Sequence, residues 1–290
     1  MQNLDLTSSP EAARGDELSL AADLVRSAGG AAMRLYGRAR VEEKEGAGGP
    51  SPVTDADHAA NAVLVEGLRA SFPQDAILSE ESRDSLERQD SERVWIIDPL
   101  DGTKEFLAQN GEFAVMLGLA IGGKAVLGAV YLPDGDTLYL AARGDGAYVE
   151  RSGERTRLQI RPRNENTLRL VGSRSHPDPL LVKMQEALGI SDVEPCGSVG
   201  VKCARVAEGE RDLYIHPVPY LKEWDTCAPE VVVREAGGWV GDCLGAPLRY
   251  NKIDPHQPHG MIACAPGVRE RVLATVVPLY SAAGAAPATA

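Results

Sequence analysis

The sequence predicts an α/β protein in two halves: an α+β first half built on a largely antiparallel sheet, and an α/β second half in which strands alternate with helices. Three observations carry that prediction. Two amphipathic helical stretches open the chain, a series of short apolar runs punctuated by Gly and Pro follows, and beyond about residue 158 strand-like and helix-like segments take turns. The chain has 290 residues, 43% apolar and 25% charged, enough to bury a sizeable core with ordinary globular usage, which excludes a disulfide-stapled miniprotein, a fibre and a wholly disordered chain.

After a polar arm, residues 18–35 repeat Leu, Ala, Val and Met at helical spacing, and Gly37 ends the helix. Residues 42–51, with Gly46, Gly48, Gly49 and Pro50, are expected to form a mobile loop. Residues 54–57 open a second helix running to about Ser71, stopped by Pro73 because the residue before a proline is biased away from helical geometry. The apolar run 76–78 leads a strand into Ser79-Glu80-Glu81, and the run 94–97 should be a buried strand that stops at Asp98-Pro99. Strands are expected at 114–121, 125–131 and 137–141, with a hairpin edge at 144–149, separated by Gly122-Gly123 and Pro133-Asp134-Gly135.

The second half should contain a strand at 168–172, helices at 179–188 and 199–208, a strand at 212–215, and a helix at 225–236 capped by Gly237-Gly238. The expected division is residues 1–157, an α+β unit with most of the metal ligands; residues 158–280, an α/β unit with Asp225 and the loops that select substrate; and a disordered tail, 281–290. No repeat or extended linker separates the halves, so they are expected to form one body.

Net charge is -12 and the basic residues are scattered, so the footprint of a nucleic-acid or anionic-membrane binder is missing. An anionic substrate would be repelled at long range unless the protein supplied local positive charge, and divalent cations held by carboxylates do that directly. The five cysteines form no C-x-x-C pair, which fits a reducing cytoplasm rather than a disulfide framework. Asp5, Glu11, Arg14, Asp16 and Glu17 interrupt the first twenty residues, no later run reaches the length of a span, and no integral membrane segment or signal peptide is expected.

The chemistry concentrates in Trp95-Ile96-Ile97-Asp98-Pro99-Leu100-Asp101-Gly102-Thr103-Lys104-Glu105-Phe106, where a buried strand delivers one carboxylate and a tight turn another. Pro99 fixes φ, Gly102 allows close backbone approach, and Thr103 can open a short helix whose N–H groups suit a phosphate. Each piece has a plainer reading: Asp98 and Asp101 as turn formers, Asp225 as a helix cap, Asp57 within Val53-Thr54-Asp55-Ala56-Asp57 as part of a capping box. If Asp57, Glu80, Asp98, Asp101 and Asp225 converged, each pair about 4 Å apart would repel by roughly 4 kcal/mol at an effective dielectric near 20, so the cluster would need metal or protons. Oxygen-only ligands favour Mg²⁺ or Mn²⁺.

Ser79-Glu80-Glu81, Asp98-Pro99-Leu100-Asp101-Gly102-Thr103, and Trp224-Asp225 with Ala236-Gly237-Gly238 occur in an order that resembles the inositol monophosphatase superfamily of lithium-sensitive phosphatases, over about residues 18–272. The extension to Phe106 and the run Ser173-Arg174-Ser175-His176 resemble its bacterial 3′(2′),5′-bisphosphate nucleotidase branch. The resemblance implies a layered α/β/α/β/α sandwich with the active site between the halves. It implies two to three Mg²⁺ ions, with Mn²⁺ a possible substitute and Li⁺ an inhibitor. Glu80, Asp98 and the Leu100 carbonyl would hold one ion, Asp98, Asp101 and Asp225 a second; Thr103 with Asp57 or Glu80 would orient and deprotonate water.

The implied substrate contacts are Gly102, Thr103, Ser175, His176, Gly197, Ser198, Lys202, Glu223 and Asp225. The implied reaction is hydrolysis of the 3′-phosphate of 3′-phosphoadenosine 5′-phosphate, a nucleotide bisphosphate, in sulfate assimilation, by a monomer or homodimer. Inositol 1-phosphate or fructose 1,6-bisphosphate is the alternative substrate, and a non-catalytic binding protein on the same fold is the reading from a different class.

Overall fold

The computed structural model describes residues 15–44, 51–162, 167–174 and 178–284. The first helix, α1 (Gly15–Met33), buries Leu18, Ala21, Val25, Ala28 and Ala32 on one face. Strands β1 (Val41–Lys44) and β2 (Ser51–Thr54) pair antiparallel, with Val41 opposite Thr54. This corrects the loop expected over 42–51: its flanks form a hairpin around Val41 and Val53, while the Gly46, Gly48, Gly49 and Pro50 that suggested a loop lie outside the described residues. Helix α2 (Asp55–Ser71) follows, and the Thr54 side chain accepts from the Ala56 N–H while the Asp57 carboxylate accepts from the Thr54 N–H, a complete capping box.

Next come β3 (Ala76–Ser79), a 3₁₀ turn at Glu87–Asp90, β4 (Arg93–Asp101), the short α3 (Thr103–Leu107), β5 (Ala114–Ile121), β6 (Lys124–Leu132), β7 (Thr137–Ala142), β8 (Gly146–Arg151) and β9 (Glu154–Leu158). They form a seven-stranded sheet in the order β3-β4-β5-β6-β7-β8-β9. Only β3 and β4 run parallel. Both faces are covered: Trp95, Ile97, Val115 and Leu117 point into the core with α1 and α2, while Val94, Ile96 and Met116 point into the core with the second half. That double burial is why 94–97 reads as an unbroken apolar run.

The second half contains β10 (Arg169–Ser173), α4 (Pro179–Ala187), β11 (Asp192–Cys196), α5 (Val199–Ala207), β12 (Leu213–His216), α6 (Glu223–Glu235), β13 (Trp239–Gly241), β14 (Met261–Cys264) and α7 (Arg269–Ala282). Its five-stranded sheet runs β11-β10-β12-β14-β13, with β10 parallel to β11 and β12, and β14 antiparallel to both neighbours. Helices α5 and α6 lie between the two sheets, and α4 and α7 associate against the second, completing the α/β/α/β/α layering.

Helix α6 can approach the first sheet because Gly118 and Gly128, directly paired across β5 and β6, carry no side chains there. A Cβ on Gly128 would sit 2.2 Å from the Ala228 carbonyl oxygen, and one on Gly118 would sit 2.6 Å from Cys227 Sγ.

Several elements depart from the sequence expectation. Strand β4 does not stop at Asp98 but continues to Asp101 through a register shift: Asp98 faces Met116 and Asp101 faces Ala114, so β4 carries one extra residue. Strands β9, β11, β13 and β14 and helix α7 were not anticipated. β9 is charged and mostly exposed, β11 contains Pro195, and β13 has three residues, so none shows a two-residue apolar alternation. The tail expected over 281–290 begins inside α7, and residues 285–290 lie outside the described residues, as does the N-terminal arm.

Candidate metal centre

The bulge in β4 builds the site. Residues three apart on a regular strand face opposite sides, but the inserted residue brings Asp98 and Asp101 to one side. Asp225, in the first turn of α6, meets them there: one carboxylate oxygen from each of Asp98, Asp101 and Asp225 lies within 4.8 Å of the others. At that separation and an effective dielectric near 20, each ionised pair repels by about 3 kcal/mol.

The surroundings of the three differ. Asp98 is buried, and its Oδ1 accepts from the Leu100 N–H at 3.1 Å. Burial, followed by the charges of Glu80, Asp101 and Asp225, pushes its carboxyl well above the ordinary range. Asp225 is partly exposed at its outer edge, and its Oδ2 accepts from the Lys222 N–H. Withdrawal of water from its carboxylate, with Glu80 and Asp101 nearby, also pushes it well up. Burial raises Asp101 as well, against the Ser198 hydroxyl and the Gly200 N–H, which both donate to its Oδ2, the latter at 2.6 Å.

A second group lies at the start of α2 and α3. Thr103 Oγ1 is 3.1 Å from Asp57 Oδ1 and 3.2 Å from the Leu100 carbonyl oxygen, so its single hydrogen is shared between two acceptors. Asp57 Oδ2 accepts from the Thr54 hydroxyl at 2.6 Å and from the Thr54 N–H at 2.8 Å. Burial raises the Asp57 carboxyl despite these donors. Gly102, between Asp101 and Thr103, has φ +96°, and a Cβ there would meet the Glu112 carbonyl oxygen at 2.9 Å.

Glu80 follows β3 and its N–H donates to the Ile97 carbonyl at 3.2 Å. Its carboxylate is paired with Lys44 Nζ at 2.8 Å, and Lys44 also bonds Glu81. Burial raises the Glu80 carboxyl while Lys44 opposes the rise, and Lys44 is itself raised by both glutamates against its own desolvation. The sequence offered no sign of Lys44, which sits in an ordinary charged stretch.

The expected substrate contacts separate into three groups. Ser175 and His176 lie outside the described residues. Gly197 and Ser198 border the cluster: the Gly197 N–H donates to Glu112 Oε2 at 2.7 Å, and Glu112 forms a two-point ion pair with Arg174. Lys202 is buried rather than open, with Nζ 3.2 Å from the Gly197 carbonyl, 3.4 Å from the Cys196 carbonyl and 5.4 Å from the centre of the Tyr214 ring.

Glu223 is fully buried, and its carboxylate accepts from the N–H groups of Asn251 at 2.6 Å and Lys252 at 2.9 Å. It is engaged by the protein's own backbone and by Lys252 Nζ at 3.1 Å. Tyr214 was not singled out in the sequence, because it lies in an apolar strand. Its buried hydroxyl has no hydrogen-bond partner, and burial with the charges of Cys203, Asp101 and Asp225 raises it well above the usual phenol range.

The donor set fits a hard divalent cation: it is all oxygen, it is concentrated in one place, and its carboxyls are strained upward by burial and mutual repulsion that a cation relieves. No helix among the described residues is long and apolar enough to cross a membrane.

Comparison with known proteins places these features in context. The model of the inositol monophosphatase family matches residues 16–278. The chain is 41% identical over 228 residues, 78% of its length and 91% of the relative's, to the 3′(2′),5′-bisphosphate nucleotidase CysQ of Escherichia coli O157:H7. It is 38% identical over 247 residues, 83% of its length and 87% of the relative's, to the 3′-phosphoadenosine 5′-phosphate phosphatase of Mycobacterium leprae. Among solved structures, CysQ of Bacteroides thetaiotaomicron superposes with a TM-score of 0.72 at 31% identity, covering 86% of this chain and 97% of that one. The IMPase of Thermotoga maritima superposes with a TM-score of 0.76 at 26% identity, covering 92% and 99%.

Proposed function

The chain belongs to the inositol monophosphatase family, whose members are metal-dependent, and from that premise we propose that it is a Mg²⁺-dependent 3′(2′),5′-bisphosphate nucleotidase. The observation that carries the reading is the convergence of Asp98, Asp101 and Asp225, supported by the likeness to relatives that bear that activity in their names. The reaction is hydrolysis of the 3′-phosphate of 3′-phosphoadenosine 5′-phosphate to AMP and phosphate, and the five free, buried cysteines support a cytoplasmic setting.

Asp98, Asp101 and Asp225, with Glu80 and the Leu100 carbonyl, would hold Mg²⁺, with Mn²⁺ as substitute and Li⁺ as inhibitor. Bound there, the cation polarises the phosphoryl oxygens and makes water a better nucleophile. The chain's own residues supply the proton handling. Asp57 Oδ1 accepts the Thr103 hydroxyl hydrogen, which leaves a Thr103 Oγ1 lone pair to accept a proton from water, and the upward pull of burial makes Asp57 a stronger base for that relay. Gly102 makes the turn into Thr103 possible, because its φ of +96° suits glycine and a Cβ there would press on the Glu112 carbonyl oxygen at 2.9 Å and on Ser198. Buried Lys202 places positive charge behind Asp101 and next to the Gly197–Ser198 backbone.

The reading is tested by phosphate release from 3′-phosphoadenosine 5′-phosphate, inositol 1-phosphate and fructose 1,6-bisphosphate, side by side, in Mg²⁺ with and without Li⁺. The expected result is a strong, Li⁺-sensitive preference for the nucleotide. Preference for inositol or sugar phosphate overturns the substrate; no metal-dependent release from any of them overturns the enzyme.

A further inference from the structure

Asn251, between β13 and β14, commits every polar atom it has to two segments far from it in sequence. Its N–H donates to Glu223 Oε2 at 2.6 Å, and its carbonyl accepts from Gln89 Nε2 at 2.9 Å. Its side-chain oxygen accepts from Arg88 Nη1 at 2.9 Å, and its side-chain nitrogen lies 3.0 Å from the Arg88 carbonyl and 3.1 Å from the Ser91 carbonyl. Its φ is +58°, in the left-handed region that Asn tolerates better than most residues.

The two segments lead to the two elements that carry the carboxylate cluster. Arg88 to Ser91 immediately precedes β4, which carries Asp98 and Asp101. Arg88 is itself fixed, buried and paired with Asp84 at 2.8 Å. Glu223 opens α6, two residues before Asp225, and the same loop holds that turn from other directions: the Glu223 N–H donates to the Pro255 carbonyl at 2.9 Å, and Lys252 Nζ is 3.1 Å from Glu223 Oε1. The glycine contact at Gly118 and Gly128 sets how closely α6 approaches the sheet, and it falls at Cys227 and Ala228, beyond the first turn. The first turn therefore needs its own tie.

We propose that Asn251 is a positioning residue for the cation site, holding the first turn of α6, and so Asp225, in register with the segment that leads into Asp98 and Asp101. The proposal rests on reading the cluster as a cation site. Ligand distances are tolerated within about 0.2 Å, and residues that orient ligands from outside typically change metal affinity by roughly 10–100-fold when altered.

The test is Mn²⁺ titration of the full chain by calorimetry or electron paramagnetic resonance, with the Mg²⁺ activation constant and kcat alongside. Asn251→Gly keeps the left-handed backbone and both backbone hydrogen bonds while deleting the side-chain ties. It is expected to weaken Mn²⁺ binding about tenfold and raise the Mg²⁺ activation constant in parallel, with kcat at saturating Mg²⁺ within about twofold of wild type. Gln89→Ala, which removes the two bonds that an exposed side chain makes to Asn251, should weaken Mn²⁺ binding by a smaller factor, about two- to threefold. Arg151→Ala, which breaks the remote Arg151–Glu208 ion pair, should leave Mn²⁺ affinity unchanged whatever it does to the melting temperature.

Wild-type Mn²⁺ affinity in folded Asn251→Gly overturns the proposal, as does an equal loss in Arg151→Ala. If Asn251→Gly does not fold, unchanged affinity in Gln89→Ala overturns it. Failure of the wild-type protein to bind Mn²⁺ overturns the cation reading itself, a separate outcome visible before any variant is made.

Discussion

Ser198 donates its hydroxyl hydrogen to Asp101, joining the first turn of α5 to the end of β4, and the Gly200 N–H reaches the same carboxylate oxygen at 2.6 Å. The Ser198 hydroxyl also accepts from the Val201 N–H at 3.0 Å, so one atom caps a helix and steadies a carboxylate of the cluster. The backbone of Ser198 sits at φ +49°, outside the region most side chains prefer. A locally unfavourable conformation persists here because contacts from both halves of the chain determine it.

Replacing this serine separates the two roles from the rest of the helix. Ser198→Ala should cost about 1–2 kcal/mol of stability through the lost cap. It should also weaken divalent-cation binding, because one of the donors that holds Asp101 ionised is gone. Denaturant melts and Mn²⁺ titration of the same sample check both.

Neutralising a carboxylate of the cluster should hurt activity while relieving repulsion in the cation-free protein. Asp98→Asn and Asp225→Asn are expected to lower metal-dependent phosphate release by roughly a hundred- to a thousandfold, the several kcal/mol that a bound cation contributes to a phosphoryl transition state. Without cation, both variants should be at least as resistant to heat as the wild type, since each removes two of the three repulsive pairs in the cluster. Wild-type turnover in either variant would remove the cluster from the mechanism.

The raised carboxyls of Asp98 and Asp225 give stability a sign with pH. Their native values lie above the ordinary 3.8, so the folded state holds more protons than the unfolded one. Their contribution to stability without cation is therefore fully present below the ordinary carboxyl range and is lost as pH rises through the native values. In chelator the protein should melt at a lower temperature at about pH 8 than at about pH 5, and saturating Mg²⁺, which binds the ionised form, should shrink the difference. Proton release on cation binding, followed with a pH indicator, is the companion measurement.

The contact between α6 and the first sheet predicts a sensitive position. Gly128→Ala places a methyl group 2.2 Å from a backbone oxygen that has no flexible end to yield, and should cost about 1–3 kcal/mol, read from the denaturant midpoint.

The thiols should be silent in the native protein. All five cysteines are free and buried, and burial pushes the Cys196 and Cys264 thiols up to about 12. A thiol reagent at about pH 8 should react slowly until denaturant is added, after which all five should titrate. Rapid modification of a native thiol would show an opening of the fold that this arrangement does not allow.

What the sequence revealed, and what it did not, follows the range of the interactions concerned. Asp98, Asp101, Gly102 and Thr103 sit within six residues of one another, so their chemistry was visible as a motif, and the two opening helices and the strands of the first sheet carry local periodicity. The bulge that turns Asp98 and Asp101 to one side leaves no mark, because it is a property of pairing with β5. Lys44 on Glu80 and Asn251 between Arg88 and Glu223 are likewise long-range, each using a residue type that is unremarked in its own neighbourhood, and Ser198, expected to touch substrate, has a long-range bond to Asp101 that no local pattern announces. The charged edge strand β9 was missed for the opposite reason: its pairing is supplied by β8 and its side chains report nothing.

Because Asp225 belongs to α6 and its partners to β4, synthesis order matters. A chain emerging from the ribosome displays Asp98 and Asp101 long before α6 exists, two carboxylates without their third companion and without the helix that seats on Gly118 and Gly128. On the reading of the cluster as a cation site, full capture would come only once α6 is made, so a bound ion would favour a finished chain over a truncated one.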